Sequence, residues 1–311
     1  MTKKIYSDSN NFEVVKEINP YLIEGPLILV ESTNKPLSNV PPMLYGSKPT
    51  DGGYFFLTPK EKDELLAKEP KAEKIIRRVY GATEFINNKE RYCLWLKEAT
   101  PHELRSMPLV LERVQNVKEY RLNSKAKSTR QYAEYPTKFK QDAQPDTDFL
   151  IVPRVSSENR RYVPIGFMSH DNIVTDAVQF VPDATLYEFG IITSNVHMAW
   201  MRTVAGRLEM RYRYSSTLVY NTFPWPDINI KQKKRIEKTA KMILDARSLY
   251  PDSSLADLYD ELTMPQELRK AHQENDKAVM EAYNMPIGNT SESDCVAILL
   301  KLYKELEKTS K

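Results

Sequence analysis

The sequence predicts an α+β protein, in which a mixed β-rich region with inserted helices is followed by a small all-α region. Short apolar or alternating runs recur between Pro, Gly and Asn punctuation as far as Pro226. The pattern changes at Phe223-Pro224-Trp225-Pro226, and beyond it apolar residues recur at helical spacing. These observations divide the chain into an N-terminal extension or linker over residues 1–18, a β-rich domain over 19–227 and a helical domain over 228–311.

Taken in order, strands are expected at 27–31, 54–57, 91–96, 149–155, 162–168 and 186–192, each a short β-branched or aromatic run. A helix over 60–69 follows Thr58-Pro59, with Thr58 as its cap and Pro59 at the first helical position. A second helix is expected over 193–203, capped by Ser194 or Asn195. The two prolines of Phe223-Pro224-Trp225-Pro226 forbid helix and remove ladder donors, so this segment is extended, and Trp225 offers a large surface to lock it down. An amphipathic helix over 232–248 carries Ile236, Ala240, Ile243 and Leu244 on its apolar face, with Leu249 just beyond. Further helices are expected over 254–263, 266–283 and 294–307, the second entered through Thr263-x-x-Gln266 with Pro265 between.

Residues 207–226, RLEMRYRYSSTLVYNTFPWP, are the most informative stretch. Read as one strand, they set Glu209, Arg211, Arg213 and Ser215 on one face and Leu208, Met210, Tyr212 and Tyr214 on the other. Arginine can fork onto the N7 and O6 edge of guanine, and Glu can accept from cytosine or orient a neighbouring Arg. Strand residues two apart are separated by roughly 6.6 Å, near the rise of two base pairs. An ordinary solvated face gives the same pattern, and alternation alone leaves both readings open.

A second basic concentration lies between Lys118 and Lys140: Lys118, Arg121, Lys125, Lys127, Arg130, Lys138 and Lys140 against Glu119 and Glu134, with Tyr120, Tyr132, Tyr135 and Phe139 interleaved. Such a cluster can neutralise phosphates, or it can simply face solvent. Overall charge decides nothing. At +3 with a pI near 8.5 the chain is only mildly basic, so any nucleic-acid surface must be local. Cys93 and Cys295 show neither CxxC nor Cys/His spacing, which points to a reducing compartment without disulfides or a zinc site; Cys93 reads as a buried small hydrophobe. No signal-like or membrane-spanning apolar run occurs, so the expectation is a cytoplasmic protein with no membrane partner.

The block GRLEMRYRYSSTLVYNTFPWPD (206–227) resembles the end of the target-recognition domain of MmeI-like enzymes, single-chain type II restriction-modification proteins that methylate adenine. The likeness continues upstream through ESTNKPLSNVPPMLYGSKPTDGGYFFLTPKEKDELL (31–66), IIRRVYGATEFINNKERYCLWL (75–96) and RYVPIGFMSHDNIVTDAVQFVPDATLYEFGIITS (161–194). It covers most of 18–227 and, more loosely, the helical tail. The resemblance implies a double-stranded DNA partner and a methyltransferase domain or subunit upstream. It implies that Glu209 and Arg211 govern one base pair, that Arg213 works with the position aligned to Ala177, and that Arg154 pairs with Asp176. The three upstream assignments assume no insertion or deletion between Val152 and Gly206. Asp176 could hold the Arg154 guanidinium plane against a base edge, although a structural salt bridge reads the same in sequence. With the family as context, Lys125, Lys127 and Arg130 become the expected phosphate contacts.

Catalytic motifs of the family are missing. The nearest matches to its Asn/Asp-Pro-Pro-aromatic motif are Asn39-Val40-Pro41-Pro42-Met43 and Asn19-Pro20-Tyr21, and with 9 Gly in all there is no GxGxxG turn. Glu69-Pro70-Lys71 mimics the last element of a nuclease site, but its proline suits a helix end. His102, His170, His197 and His272 are scattered singly and read as surface or capping residues, with His170 beside the recognition block. The expectation is therefore a specificity part with no catalytic residue and no cofactor of its own; S-adenosylmethionine, and magnesium for cleavage, would serve upstream domains. A protein-interaction scaffold that docks a catalytic subunit is the alternative.

Overall fold

The computed structural model describes residues 3–6 and 10–309. It forms two compact units: unit one is Met1–Met43, Pro153–Gly166 and Val181–Lys311, and unit two is Leu44–Val152 with Phe167–Phe180. Unit one opens with an antiparallel hairpin of β1 (Lys3–Tyr6) and β2 (Phe12–Val15). Unit two follows with β3 (Leu44–Tyr45), β4 (Phe56–Leu57), α1 (Pro59–Lys68), β5 (Ile76–Tyr80), α2 (Ala82–Ile86), β6 (Tyr92–Leu94), α3 (Pro101–Arg105), α4 (Pro108–Leu122), α5 (Lys127–Gln131) and β7 (Phe149–Pro153). The chain returns to unit one in β8 (Val155–Ser156) and completes unit two with β9 (Gly166–Met168), β10 (Ile173–Val174) and β11 (Val178–Pro182). Unit one then takes α6 (Leu186–Ile192), α7 (Asn195–Val204), β12 (Gly206–Leu208), β13 (Arg211–Arg213), α8 (Ile230–Ser248), α9 (Leu255–Leu258), α10 (Gln266–Ala282) and α11 (Glu292–Thr309). The mixed sheets and helices with a helical C-terminal segment make the fold α+β, as the sequence predicts.

Unit two is built on two four-stranded sheets, ordered β10-β5-β6-β4 and β3-β11-β7-β9. Thr58 caps α1 as expected, with Glu61 completing the capping box and Pro59 at the first position. Glu69 serves as a cap for a different helix: its carboxylate accepts from Leu109 N–H at 2.6 Å and Val110 N–H at 3.2 Å at the start of α4. Phe55, Leu57, Leu94, Val110 and Val117 form the core, with Cys93 fully buried among them. Arg121 is also fully buried. Its guanidinium donates to the carbonyls of Thr50 (2.9 Å), Pro49 (2.9 Å), Tyr135 (2.8 Å) and Lys138 (2.7 Å), and more weakly to Tyr132 (3.5 Å). One side chain thereby ties α4 to two loops.

In unit one, α6 and α10 both pack on the sequence-predicted amphipathic helix, α8. Gly190 permits the close approach of α6, since a Cβ there would lie 2.7 Å from Ile236 Cγ2. The buried Asn275 amide donates to Gly190 O at 2.8 Å and accepts from Thr239 Oγ1 at 3.0 Å, satisfying the polar groups at this contact. Beside it, Asp276 accepts from Tyr162 Oη at 2.6 Å and from Asn195 N–H, at the first turn of α7, at 2.7 Å.

Burial outweighs these hydrogen bonds and pushes the Asp276 carboxyl up to about 6. The folded state therefore holds this proton more tightly than the unfolded chain. The group's stabilising contribution is full below the ordinary carboxylate value of 3.8, falls as pH rises and is lost above about 6. Asp276→Asn is expected to remove that slope and to raise stability at pH 7 by on the order of 1–3 kcal/mol, the carboxylate penalty at about 1.36 kcal/mol per unit less one hydrogen bond that the amide cannot accept. Urea unfolding of both proteins between pH 4 and 7 checks this; an equal or lower stability of the variant at pH 7 would contradict it.

Several elements depart from the sequence reading. The run 186–192 is the helix α6, not a strand. Thr185 and Glu188 form a capping box, and the run is buried on every side, so its continuous apolarity carries no period. Residues 27–31 alternate between exposed Leu27 and Leu29 and buried Ile28 and Val30 but join no sheet; Val30 N–H bonds Tyr21 Oη and Glu31 N–H bonds Tyr303 Oη. Of 162–168 only β9 is a strand. The expected helix over 254–263 shrinks to α9, and Thr263 turns back to Asp257 O instead of capping α10. Helices α3 and α4 have no counterpart in the sequence reading, although Thr100-Pro101-x-Glu103 is a capping signature. His197 and His272 are fully buried, contrary to the surface reading; their rings meet the hydroxyls of Tyr214 and Tyr259, each at 2.8 Å.

Candidate nucleic-acid interface

The single strand expected over 207–215 is a hairpin. β12 and β13 pair antiparallel in the register Leu208↔Arg211 and Arg207↔Tyr212, and β13 pairs on its other side with β8 in the register Tyr212↔Ser156. The turn falls at Glu209, whose φ of +57° is left-handed, a conformation disfavoured by roughly 1–2 kcal/mol for a side chain of this kind. Arg207 stabilises the turn by donating to Met210 O at 2.9 Å and by covering the Tyr212 ring at 3.8 Å. Alternation holds only in the second half: Tyr212 and Tyr214 are buried and Arg211 and Arg213 exposed, whereas Leu208 and Met210 are exposed beside the turn. The turn also changes how Glu209 and Arg211 relate. The Glu209 carboxylate accepts from Arg211 Nη2 at 2.8 Å, so it orients the guanidinium from the hairpin tip. An exposed pair of this kind adds little stability, and its consequence is the direction in which Arg211 points.

Buried contacts anchor the residues that follow β13. Tyr214 N–H donates to Arg154 O at 2.8 Å, and its hydroxyl lies 2.8 Å from His197 Nε2 on α7. Burial lowers the His197 pKa to about 3, so the ring is a neutral partner, and it meets Phe223 edge-on at 4.5 Å. Trp225 lies within 6 Å of the Tyr187, Tyr220 and Phe223 rings. The carbonyl of Pro224 accepts from Tyr283 Oη at 2.7 Å, and that of Pro41 accepts from Tyr220 Oη at 2.7 Å. The Phe-Pro-Trp-Pro segment is thus locked in the manner its composition predicts. Sequence reasoning assigned no part to Arg207 and read His197 as a surface or capping residue; the alternating run contained Arg207, but its use in closing a turn depends on the hairpin.

Arg154 lies in the bend between β7 and β8 in unit one, whereas Asp176 and Ala177 lie between β10 and β11 in unit two. Asp176 N–H donates to Ser47 O at 3.0 Å and its carboxylate stands 3.9 Å from Lys48 Nζ, another residue without a role in the sequence reading. Gly46 permits this approach, because a Cβ there would fall 2.3 Å from Thr175 O.

The basic segment of unit two divides by function. Arg121 belongs to the interior, which removes it from any ligand surface. Lys125 and Lys127 are exposed, and Arg130 donates to Ser124 O at 2.7 Å and Lys125 O at 2.8 Å, shaping the loop that presents them. His170 is exposed and rests against Asp148 at 2.9 Å, which raises its pKa. On α8, Arg235 pairs with Glu281 and Lys233 lies over the Tyr187 ring. The near-miss motifs have structural uses: Asn19 Oδ1 accepts from Tyr21 N–H at 2.9 Å in a turn, and Pro41 receives Tyr220. Among the described residues no group of three or more His, Cys, Asp or Glu could hold a metal ion, and no helix is long and apolar enough to cross a membrane.

In unit one, a hairpin anchored on a buried aromatic cluster presents Glu209, Arg211 and Arg213 to solvent, the arrangement of a recognition module. The family model for the MmeI target recognition domain matches residues 24–227, and that for the MmeI C-terminal domain matches 228–310. The chain belongs to the MmeI family. It is 39% identical over 306 residues to DNA methyltransferase A of Bacillus subtilis (strain 168), covering 98% of this chain and 34% of that protein. It also superposes on the Type IIL restriction-modification enzyme MmeI, solved in complex with DNA, with a TM-score of 0.93 and 48% identity, covering 99% of this chain and 42% of that one. The chain thus spans less than half the length of either relative.

Proposed function

We propose that this chain is the sequence-specific double-stranded DNA recognition module of a type II restriction-modification adenine-N6 methyltransferase, reading bases in the major groove for catalytic domains that lie outside it. The observation that carries the proposal is the hairpin: Arg211 and Arg213 face outward from a strand whose alternate residues, Tyr212 and Tyr214, are buried, and Glu209 orients Arg211. Arginine in this setting can address guanine bidentately. Arg154, Asp176 and Ala177 complete the proposed base-reading set. Lys125, Lys127 and Arg130 contact phosphates. S-adenosylmethionine, and magnesium for cleavage, are assigned in this reading to the catalytic domains, since the sequence holds no GxGxxG turn. The setting is cytoplasmic.

Binding of the intact chain to random duplex across a salt series tests the reading. Affinity should fall with a log–log slope of several, while no binding at about 50 mM salt would favour a protein-docking scaffold. Lys127→Ala is expected to weaken binding evenly across sequences and to reduce that slope by about 1; a loss confined to some sequences would contradict its assignment to phosphate.

A further inference from the structure

The proposed base-reading and phosphate contacts leave the aromatic residues interleaved in the basic segment unassigned. Two of them, Tyr132 and Phe139, join Trp95 around a cavity of about 310 Å³ in unit two, whose rim carries Thr137, Lys138 and Asp142. Its walls are fixed before any ligand arrives. Phe139 is buried, stacks on Phe55 at 5.4 Å and meets Trp95 edge-on at 5.1 Å. Tyr132 Oη donates to Phe139 O at 3.0 Å, and the Arg121 guanidinium sits 5.1 Å from the Tyr132 ring while binding the carbonyls of Tyr135 and Lys138. At the rim, Asp142 Oδ2 pairs with Lys97 Nζ at 2.7 Å, Asp142 Oδ1 accepts from Gln144 N–H at 3.2 Å, and Lys138 is exposed with its Nζ 5.7 Å from the Tyr135 ring.

An aromatic interior with a carboxylate and two ammonium groups at its mouth suits a planar ring that has a polar edge and an attached anion. The volume is at the low end for ligand sites, enough for one ring system and its sugar but not for a dinucleotide. We propose that this cavity seats a single unstacked nucleobase bearing an amino group, with the second lone pair of an Asp142 oxygen accepting from that amino group, Lys97 holding the carboxylate in place and Lys138 facing the phosphate. Stacking on an aromatic platform tolerates any base, so the carboxylate supplies the preference for adenine, cytosine or guanine over thymine. The DNA-recognition reading supplies only the source of the base; the site itself stands on unit two.

The test is a titration of the intact chain with deoxyadenosine monophosphate and with thymidine monophosphate, followed by tryptophan fluorescence and, independently, by equilibrium dialysis. The other two tryptophans, Trp200 and Trp225, lie in unit one. A saturable quench is expected, stronger for the adenine nucleotide. In Trp95→Phe the quench should vanish while dialysis still detects binding; Trp95→Ala should weaken binding roughly 5- to 150-fold, the equivalent of one stacked base. Asp142→Asn should narrow the adenine preference and Lys138→Ala should weaken both nucleotides. Absence of saturable binding, a quench that persists in Trp95→Phe, or binding of a tryptophan-containing peptide in place of nucleotides would overturn the proposal. Random-duplex binding is measured in parallel. Duplex binding without nucleotide binding overturns the pocket alone, and nucleotide binding without duplex binding supports the pocket and overturns the DNA-recognition reading.

Discussion

Arg121→Ala is expected to destabilise unit two by about 4 kcal/mol or more, well beyond the cost of any surface substitution in the same segment. The substitution deletes a fully buried guanidinium and strips donors from the carbonyls of Pro49, Thr50, Tyr135 and Lys138 together. Each abandoned carbonyl carries a desolvation cost of roughly 1–3 kcal/mol, and relaxation of the two loops recovers only part of it. Arg121→Lys should not rescue the protein, because one ammonium cannot reproduce a planar fork toward four acceptors. Lys125→Ala, at an exposed position in the same segment, should change stability by no more than about 0.5 kcal/mol. Urea unfolding of the three variants decides the matter: a loss below about 1 kcal/mol for Arg121→Ala would show that these hydrogen bonds are replaceable.

Arg211→Ala should relax discrimination at one base position by about 1–3 kcal/mol, roughly 5- to 150-fold, while leaving the fold intact. Its side chain is exposed and its ion pair with Glu209 is a surface contact, so folding does not depend on it. Glu209→Ala should produce a smaller loss at the same position, since the guanidinium remains but is no longer oriented. Competition between a preferred duplex and its single-base variants provides the readout. An unchanged preference in Arg211→Ala would remove this residue from the base-reading set.

The helical tail was legible in the sequence because α8, α10 and α11 bury one face each, and helical periodicity survives that kind of burial. Periodicity failed at α6, where every residue after the first is buried and no period remains, so the Thr185–Glu188 capping pair was the better signal. The arginine row was legible as a row on β13, where the buried tyrosines are large and regularly spaced. Its first member was not: the left-handed Glu209 turns the chain without the Gly or Asn that usually announces a hairpin. Net charge misled at Arg121, whose contribution to a basic run says nothing of whether the group faces water or five carbonyls. Pairing between positions far apart in sequence, such as Lys48 with Asp176, depends on sheet order and leaves no local trace.

A binding-site selection from random duplex with the intact chain at about 150 mM salt tests most directly whether this chain reads DNA sequence. Successive rounds should converge on one short consensus. Binding that persists through the rounds without enrichment of any sequence would contradict sequence-specific reading.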